Sequence, residues 1–232
     1  PCHIQGIRKS QIIHLKAACK IKYCIGLYCG FNMHKEATDE LINKLGIKNE
    51  DITSLQYRGG GHPGGFSLKT QNSEKTLDKS YYNIYNPLYV PDRCLLCTDL
   101  TNELADISVG DIWLKRYSGG WSSVITRSTA GHRIFIEALE NGYITAERIK
   151  REDLVRSHSH LLKHKKKNVK IRLQFNNIRP DYSGALPEPT KKEYFEGAVY
   201  FLLFRGLKTR WIHQVVRLLP LNVINSIANC VN

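Results

Sequence analysis

Seven cysteines are the residues of this sequence with the clearest capacity for chemistry. Cys94 and Cys97 form a Cys-x-x-Cys pair, which lets two thiolates reach one metal from a single turn and suits zinc and an iron–sulfur cluster equally. A structural zinc ribbon usually repeats such a pair after ~15–20 residues, but the sequence has no second pair. Two further ligands would therefore come from distant segments. The other cysteines are Cys2, Cys19, Cys24, Cys29 and Cys230.

Two of these other cysteines are placed where α/β folds gather functional groups. Cys2 follows Pro1 at a predicted helix start, and Cys29 ends a predicted strand; helix starts and strand ends converge on sites in α/β proteins. Cys24 lies inside that strand, where a buried free thiol packing as a small hydrophobic residue is the better interpretation. Cys19 is placed no better than Cys24.

A glycine-rich loop, Gly59-Gly60-Gly61-His62-Pro63-Gly64-Gly65, is a second candidate site. Glycines allow a phosphate to approach backbone N–H donors closely, but the loop lacks the G-x-G-x-x-G order and the P-loop lysine, so a flexible turn is the commoner outcome. Further along, Ser128 or Thr129 is expected to cap a helix, with neighbouring amides as an alternative anion site. We expect His62 and His132 to be ordinary surface residues.

The elements that must position these residues alternate in type. Residues 1–150 therefore predict an α/β fold, a mixed sheet with flanking helices. The helix at 130–140 has a stop signal in Asn141-Gly142. We predict helices at 3–16, 35–45 and 130–140 and strands at 23–28, 52–57, 66–69, 107–113 and 123–126.

The last third of the chain changes character. We predict a core domain at 1–175, a Pro-rich linker at 176–190 and an amphipathic helical C-terminal extension at 191–232. The stretch 194–221 alternates apolar residues with cations, so it suits either an anionic membrane surface or packing on the core or a partner subunit. No apolar run reaches the ~18–20 residues that cross a bilayer.

The formal net charge of +13 favours anionic partners, and residues 148–172 hold +8 of it. Nucleic-acid binding would require aromatic side chains among these cations for stacking, and none occurs before Phe175, so we expect a solvated basic helix and no specific nucleic acid. The sequence shows no secretory signal, which predicts a reducing, cytoplasmic location, with a peripheral membrane position as the alternative.

Five motifs in register resemble one family, the coenzyme F420-reducing hydrogenase beta subunits and their relatives, which include formate dehydrogenase beta subunits and the plant hydroxymethyl-chlorophyll reductase. The resemblance covers roughly residues 1–145. The motifs are Pro1-Cys2-His3-Ile4-Gln5-Gly6-Ile7-Arg8, Ile25-Gly26-Leu27-Tyr28-Cys29-Gly30, Tyr57-Arg58, Arg93-Cys94-Leu95-Leu96-Cys97 and Ala105-Asp106-Ile107-Ser108-Val109-Gly110-Asp111-Ile112-Trp113.

This resemblance implies a [4Fe–4S] cluster beside a flavin, FAD, with coenzyme F420 as hydride partner. It implies that the cluster ligands converge on one site and that Cys19, Cys24 and Cys230 lie outside it. It also implies that the chain is truncated at its amino end, since the family's flavin segment lies upstream of the first motif. The implied ligands are Cys2, Cys29, Cys94 and Cys97, and the implied flavin contacts are Arg58, Gly64, Gly65, Gly110, Asp111 and Thr126.

The resemblance predicts an oxidoreductase subunit that passes electrons between an iron–sulfur donor and a hydride-accepting substrate. Its partner would be a ferredoxin-like or hydrogenase/dehydrogenase electron-transfer protein, and the basic C-terminal third would contact an acidic partner or a membrane. One alternative is a structural zinc protein that binds nucleic acid or an acidic partner through its basic segment. Another is a relative that keeps the cysteines but has lost the flavin.

Overall fold

A computed structural model of the protein describes residues 1–79, 81–117, 119–175, 180–182, 186–220, 223, 224 and 226, with the backbone alone at 82–84 and 210. The contacts divide the chain into two compact units. The first unit comprises residues 1–30, 97–170 and 181–188, and the second comprises residues 31–96, 171–180 and 189–232. Cys230 lies outside the described residues.

Helices and strands alternate along the first 140 residues, and helices follow. The strands are β1 Ile25–Leu27, β2 Ser54–Gly59, β3 Gly65–Lys69, β4 Glu74–Leu77, β5 Ile107–Asp111 and β6 Ser122–Thr126. The α-helices are α1 Cys2–Ile12, α2 Lys16–Cys19, α3 Lys35–Lys44, α4 Tyr81–Tyr89, α5 Asp92–Leu95, α6 Thr129–Glu140, α7 Arg151–Ser157, α8 Ser159–Leu162, α9 Val169–Gln174, α10 Lys191–Leu207 and α11 Arg210–Leu218. Short 3₁₀ turns at Asn49–Asp51 and Lys115–Tyr117 and a π-helix at Lys163–Lys167 complete the pattern.

The first unit is built on a three-stranded mixed sheet with the order β1-β5-β6. β1 pairs with β5 in parallel, and β5 pairs with β6 in antiparallel. Gly26 in β1 is required by packing, because a Cβ there would overlap the side chain of Asn102, which donates to the Leu27 carbonyl at 3.2 Å. Parallel pairing of β1 and β5 brings their C-terminal ends to the same edge of the sheet.

The second unit contains an antiparallel sheet in the order β2-β3-β4. Its core is an apolar cluster in which Phe66 and Leu68 of β3 are completely buried. Helix α4 contributes Tyr81 and Tyr85, whose rings stack at a centroid distance of 5.9 Å. Helix α3 supplies Leu41 and Ile42, and its C-cap residue Leu45 also joins the cluster. Leu77 and Ile224 are also buried members.

The C-terminal part is helical, as predicted. Thr190 begins α10 with a capping box, in which its side chain and that of Glu193 each accept from the other's backbone N–H. Phe201 and Phe204 bury one side of this helix. No helix among the described residues is long and apolar enough to cross a bilayer. The predicted fold class, a mixed α/β core followed by helices, is confirmed.

Individual elements differ from prediction where local geometry intervenes. The first helix ends at Ile12, because His14 adopts a positive φ of 54° that a helix cannot continue through. The strand predicted at 23–28 is reduced to β1, with Cys24 just before it. Strand β4 and helix α4 were not predicted; α4 contains Pro87, a residue that ordinarily argues against a helix interior.

Candidate cofactor site

Asp106 is the residue that ties the elements of the first unit together. Its carboxylate accepts hydrogen bonds from the Cys24 N–H at 2.8 Å, from Arg8 Nη2 at 2.8 Å and from Ser128 Oγ at 2.7 Å. Burial alone would raise the pKa of Asp106, but the hydrogen bonds from Ser128, Cys24 and Arg8 outweigh burial and hold it below its ordinary value. Asp106 therefore satisfies one backbone donor and two side-chain donors of the first unit.

The Tyr28-Cys29-Gly30 turn leaves β1 at the edge where β5 also ends. The Tyr28 ring packs on Gly110 of β5, where a Cβ would overlap two ring carbons. Cys29 is half-buried, and its N–H donates to the Leu100 carbonyl at 2.8 Å. This bond joins the Cys29 turn to the loop that follows Cys97, and both belong to the first unit.

Cys97 has a buried cation at its sulfur. Lys165, from the π-helix, is 1% exposed, and its Nζ donates to Cys97 Sγ at 3.4 Å and to the Asp99 carbonyl at 2.9 Å. The Cys97 thiol also reaches the Asp99 carbonyl, at 3.4 Å. The Cys97 sulfur therefore has a cationic N–H donor within hydrogen-bond distance.

The other predicted ligands are distributed over both units. Cys2 is exposed at the start of α1 in the first unit, whereas Cys94 belongs to the second unit and packs half-buried against Val90, Leu95 and Phe204. No disulfide joins the six cysteines within the described residues. Among those residues, no three Cys, His, Asp or Glu side chains are grouped closely enough to hold a metal ion.

The donor chemistry nevertheless suits an iron–sulfur cluster. Cys29, Cys94 and Cys97 are half-buried, and Cys97 is supplied with a cationic N–H donor, the kind of hydrogen bond that tunes cluster sulfurs. Cys24 behaves as expected of a small apolar residue, being 5% exposed and packed with Ile4 and Ala105. Cys19, at the end of α2, is exposed.

The glycine-rich loop connects β2 and β3 in the second unit. Arg58 Nε and Nη2 each lie 3.1 Å from the Pro63 carbonyl, so the guanidinium closes the loop. Gly64 has a φ of +72°, and a Cβ there would lie 2.7 Å from the Gly61 carbonyl oxygen; a Cβ on Gly65 would overlap the Leu77 carbonyl. These glycines are therefore required by the hairpin itself, whatever ligand the loop contacts.

The other predicted flavin contacts lie at the ends of strands in the first unit. Gly110 and Asp111 end β5, where they pair with Ser123 and Ser122 of β6. Thr126 ends β6, and its Oγ1 lies 3.5 Å from His132 Nδ1, so His132 has a neighbour that its spacing did not suggest. Because Arg58, Gly64 and Gly65 belong to the other unit, the predicted flavin residues fall into two groups of three.

Ser128 is the helix cap that was predicted. Its Oγ accepts from the Gly131 N–H at 3.0 Å and begins α6, while its own hydroxyl donates to Asp106. The predicted stop signal also operates, since Asn141 ends α6 and Gly142 has a φ of +72°. Gly131 allows α6 to approach β5, because a Cβ would overlap the Asp106 carbonyl.

His158 is a residue of this region that sequence reasoning missed. It is 6% exposed, and its ring stands edge-on to Tyr28 with the centroids 5.4 Å apart. Burial lowers the pKa of His158, partly opposed by a hydrogen bond with the Asp111 backbone and by the Asp111 charge. Its partner Tyr28 lies 130 positions earlier in the chain, so spacing offered no signal.

The basic segment 148–172 is not the solvated helix that was predicted. It forms short helices, α7 and α8, then the π-helix and α9. Lys165 and Arg172 are each 1% exposed, and His158 and His164 are also buried. Within the first unit it contacts the motif loops: Ser157 Oγ accepts from the Trp113 N–H at 2.7 Å, and Lys166 pairs with Glu103 at 2.5 Å. The density of charged residues along a sequence does not show that acceptors far away in the chain will bind individual lysines.

Known proteins resemble this chain in both sequence and fold. The coenzyme F420 hydrogenase subunit beta of Methanothermobacter thermautotrophicus is 33% identical over 146 residues, which are 61% of this chain and 48% of that protein. The coenzyme F420-dependent sulfite reductase of Methanocaldococcus jannaschii is 26% identical over 203 residues, which are 79% of this chain and 30% of that protein. The chain thus spans half or less of the length of these relatives.

A chain of the F420-reducing [NiFe] hydrogenase complex from Methanosarcina barkeri shares the fold, with a TM-score of 0.54 at 21% sequence identity. The similarity covers 76% of this chain and 60% of that one. A family model that describes the C terminus of the coenzyme F420 hydrogenase/dehydrogenase beta subunit matches residues 1–152. The match contains every motif on which the resemblance was based. The chain belongs to the coenzyme F420 hydrogenase/dehydrogenase beta subunit family.

Proposed function

We propose that this protein acts within a flavin- and [4Fe–4S]-dependent oxidoreductase subunit, passing electrons between an iron–sulfur donor and a hydride-accepting substrate such as coenzyme F420. Membership of the family over residues 1–152 is the observation that carries the proposal. The names of two relatives, an F420 hydrogenase subunit and an F420-dependent sulfite reductase, agree on the coenzyme and differ in the second substrate. The coenzyme is therefore the part of the substrate assignment on which both relatives agree.

The residues that would hold the cluster are Cys2, Cys29, Cys94 and Cys97. Support comes from the bond between the Cys29 N–H and the Leu100 carbonyl, which joins the Cys29 turn to the loop after Cys97, and from the cation at Cys97. Four thiolates would complete the cluster's coordination, and backbone donors around Cys29 and Cys97 would tune it. When bound, the cluster supplies one-electron transfer.

The flavin would be FAD, contacted by Arg58, Gly64 and Gly65 of the β2–β3 loop and by Gly110, Asp111 and Thr126 at the ends of β5 and β6. Both groups lie at or next to the ends of strands. The protein's contribution is to orient the flavin and exclude competing reactions. Flavin converts single electrons into hydride transfer, which suits coenzyme F420 as acceptor.

The electron-transfer partner would be a ferredoxin-like protein or another hydrogenase or dehydrogenase subunit. One fold relative is a chain of a hydrogenase complex, which supports a function inside an assembly. The C-terminal third offers two surfaces for an acidic partner or an anionic membrane. One is the exposed part of the basic segment, including Lys150 and Arg151; the other is α11, whose Trp211 and Leu218 are 65% and 84% exposed.

Cofactor content tests the proposal directly. The protein is purified without oxygen, and iron, acid-labile sulfide, zinc and flavin are measured per chain together with the visible spectrum. We expect about four irons and four sulfides with broad visible absorbance. Cys29→Ser and Cys97→Ser should each lose the cluster, whereas Cys19→Ser, a change at an exposed cysteine outside the motifs, should retain it.

Other outcomes separate the alternatives. A colourless protein with one zinc per chain would contradict the proposal and favour the structural zinc protein. A cluster without flavin, even after incubation with excess FAD, would favour a relative that has lost its flavin. Loss of iron in Cys19→Ser but not in Cys97→Ser would show that the ligands were assigned wrongly.

A further inference from the structure

A buried lysine at a cysteine is the unusual feature of the first unit. Lys165 is 1% exposed, and transfer of an ammonium group out of water is costly unless acceptors replace its hydration. Two acceptors come from a single turn, the Cys97 sulfur and the Asp99 carbonyl. The basic segment therefore delivers one of its charges to the residue that ends the Cys-x-x-Cys pair.

The geometry around Asp99 distinguishes two states of Cys97. As a thiol, Cys97 can donate to the Asp99 carbonyl, which lies 3.4 Å from its sulfur and also accepts from Lys165. As a metal ligand, Cys97 has no proton to donate, so its sulfur becomes an acceptor only. Lys165 is then the donor at hand, and its hydrogen bond to a charged sulfur is of the stronger, charge-assisted kind.

The π-helix accounts for the position of this lysine. Lys165 and Lys166 are adjacent, yet Lys165 contacts Cys97 and Asp99 while Lys166 pairs with Glu103 and is 34% exposed. Short π-helical turns occur frequently at functional sites. In a solvated basic helix both lysine side chains would be exposed to solvent, whereas here Lys165 contacts the Cys97 sulfur and Lys166 does not.

We propose that Lys165 is a positioning residue for Cys97 that raises the reduction potential of the cluster to which Cys97 would contribute. This inference rests on the proposed function, in which Cys97 is a cluster ligand. One-electron reduction adds one negative charge to the metal and its sulfur ligands, and the nearby ammonium stabilises the reduced state more than the oxidised one. Hydrogen bonds to cluster sulfurs and local charge are established determinants of such potentials.

The test is a redox titration of the anaerobically purified, cluster-containing protein, followed by its visible and electron paramagnetic resonance spectra. In Lys165→Met, reduction should become about tenfold less favourable, equivalent to a midpoint potential lower by about 59 mV for one electron. Lys165→Arg keeps the charge and should remain closer to the parent. Lys166→Met is the matched control, because it removes one charge from the same π-helix without removing a donor to sulfur, and its shift should be clearly smaller.

A separate measurement on the unaltered protein covers the case in which Lys165→Met fails to fold. With ¹⁵N-labelled lysine, pulsed electron paramagnetic resonance of the reduced cluster should detect a lysine nitrogen close to the spin. Absence of that coupling, or a Lys165→Met protein that keeps both its cluster and the parent potential, would overturn the role of Lys165 and leave the proposed function standing. A parent protein without iron would instead overturn the proposed function.

Discussion

The ring of Tyr28 lies against the backbone of Gly110, so closely that even one additional carbon on Gly110 would overlap it. Gly110 pairs with Ser123 of β6 and has no positive φ, so its lack of a side chain serves packing and not backbone conformation. Tyr28 immediately precedes Cys29. The contact therefore connects the strand that carries a predicted flavin residue to the turn that carries a predicted cluster ligand.

Gly110→Ala should destabilise the protein by about 1–3 kcal/mol, because the Tyr28 ring or the β5 backbone must move to accommodate the new methyl group. Chemical denaturation of the two proteins measures the difference. Gly30→Ala is the control from the same turn, since a Cβ there would meet Leu161 at 3.5 Å, an ordinary contact. Equal losses of stability in the two variants would contradict the specific packing of Tyr28 on Gly110.

Asp106→Asn should lower the free energy of unfolding by about 3 kcal/mol at pH 7, because Arg8 loses its carboxylate partner and the amide cannot accept all three donors. The pKa of Asp106 is lowered in the folded protein, so its contribution is present above the unfolded-state pKa of about 4 and is lost as pH falls through the lower, folded value.

Denaturant titrations of parent and Asp106→Asn between pH 7 and pH 3.5 check this dependence. The difference between the two proteins should be constant near neutrality and shrink below about pH 4. Asp39→Asn removes a surface carboxylate paired with Lys35 and should cost less than about 1 kcal/mol. A gap between parent and Asp106→Asn that widens towards acid pH would mean that the sign of the shift is wrong.

Ser128→Ala should cost about 1 kcal/mol, the usual loss for removing a helix cap. Because the Ser128 hydroxyl also donates to Asp106, the effects of Ser128→Ala and Asp106→Asn should not add, with a coupling of at least about 0.5 kcal/mol in a double-mutant cycle. Thr190→Ala removes the cap of α10, which shares no partner with Asp106, so its cycle with Asp106→Asn should be additive. Identical coupling energies in the two cycles would contradict the direct interaction between Ser128 and Asp106.

Tyr85→Phe should be neutral or stabilising by up to about 1 kcal/mol. Tyr85 is completely buried, and its hydroxyl makes no hydrogen bond within the described residues, so removing it removes an unsatisfied polar group. Burial, with the nearby Glu40 charge, raises the pKa of Tyr85, so its contribution to stability is lost as pH rises from the unfolded-state value of about 10.

Unfolding experiments at pH 7 and across pH 9–11 measure both effects of Tyr85→Phe. The variant should lose less stability than the parent across the alkaline range. Tyr143→Phe serves as control, because Tyr143 is 82% exposed and its change should leave the alkaline slope unaltered. A loss of more than about 1.5 kcal/mol at pH 7 would indicate that the Tyr85 hydroxyl has a partner after all.

Local signals predicted a large part of this fold. The Asn141-Gly142 stop and the Ser128 cap bound α6 because caps and positive-φ glycines act within a few residues. The strands at 66–69, 107–113 and 123–126 correspond to β3, β5 and β6, since alternation of apolar and polar residues reports pairing against a core. Helix α4 was not predicted because its sequence contains Pro87, and the low helix propensity of proline argues against a helix there.

The site was less accessible to such reasoning. Motif order identified Cys97, but nothing near Cys97 in sequence indicates Lys165, which lies 68 positions away. From composition alone, a run of lysines predicts solvent-exposed side chains. In the structure Lys165 is buried whereas Lys166 is half-exposed, because their acceptors lie elsewhere in the chain. The same limit applied to His158 and Tyr28, whose contact spans 130 positions.

The π-helix at Lys163–Lys167 makes this region sensitive to chain length. An α-helix advances about 100° per residue, so deleting one residue here would restore regular winding and turn everything beyond the deletion by that angle. Deletion of His164, for example, would make Lys165 face a different direction although no lysine had been lost. A one-residue deletion at this point should therefore disturb the structure more than substitution of a neighbouring lysine. The number of residues in this segment should be more tightly constrained than their identity.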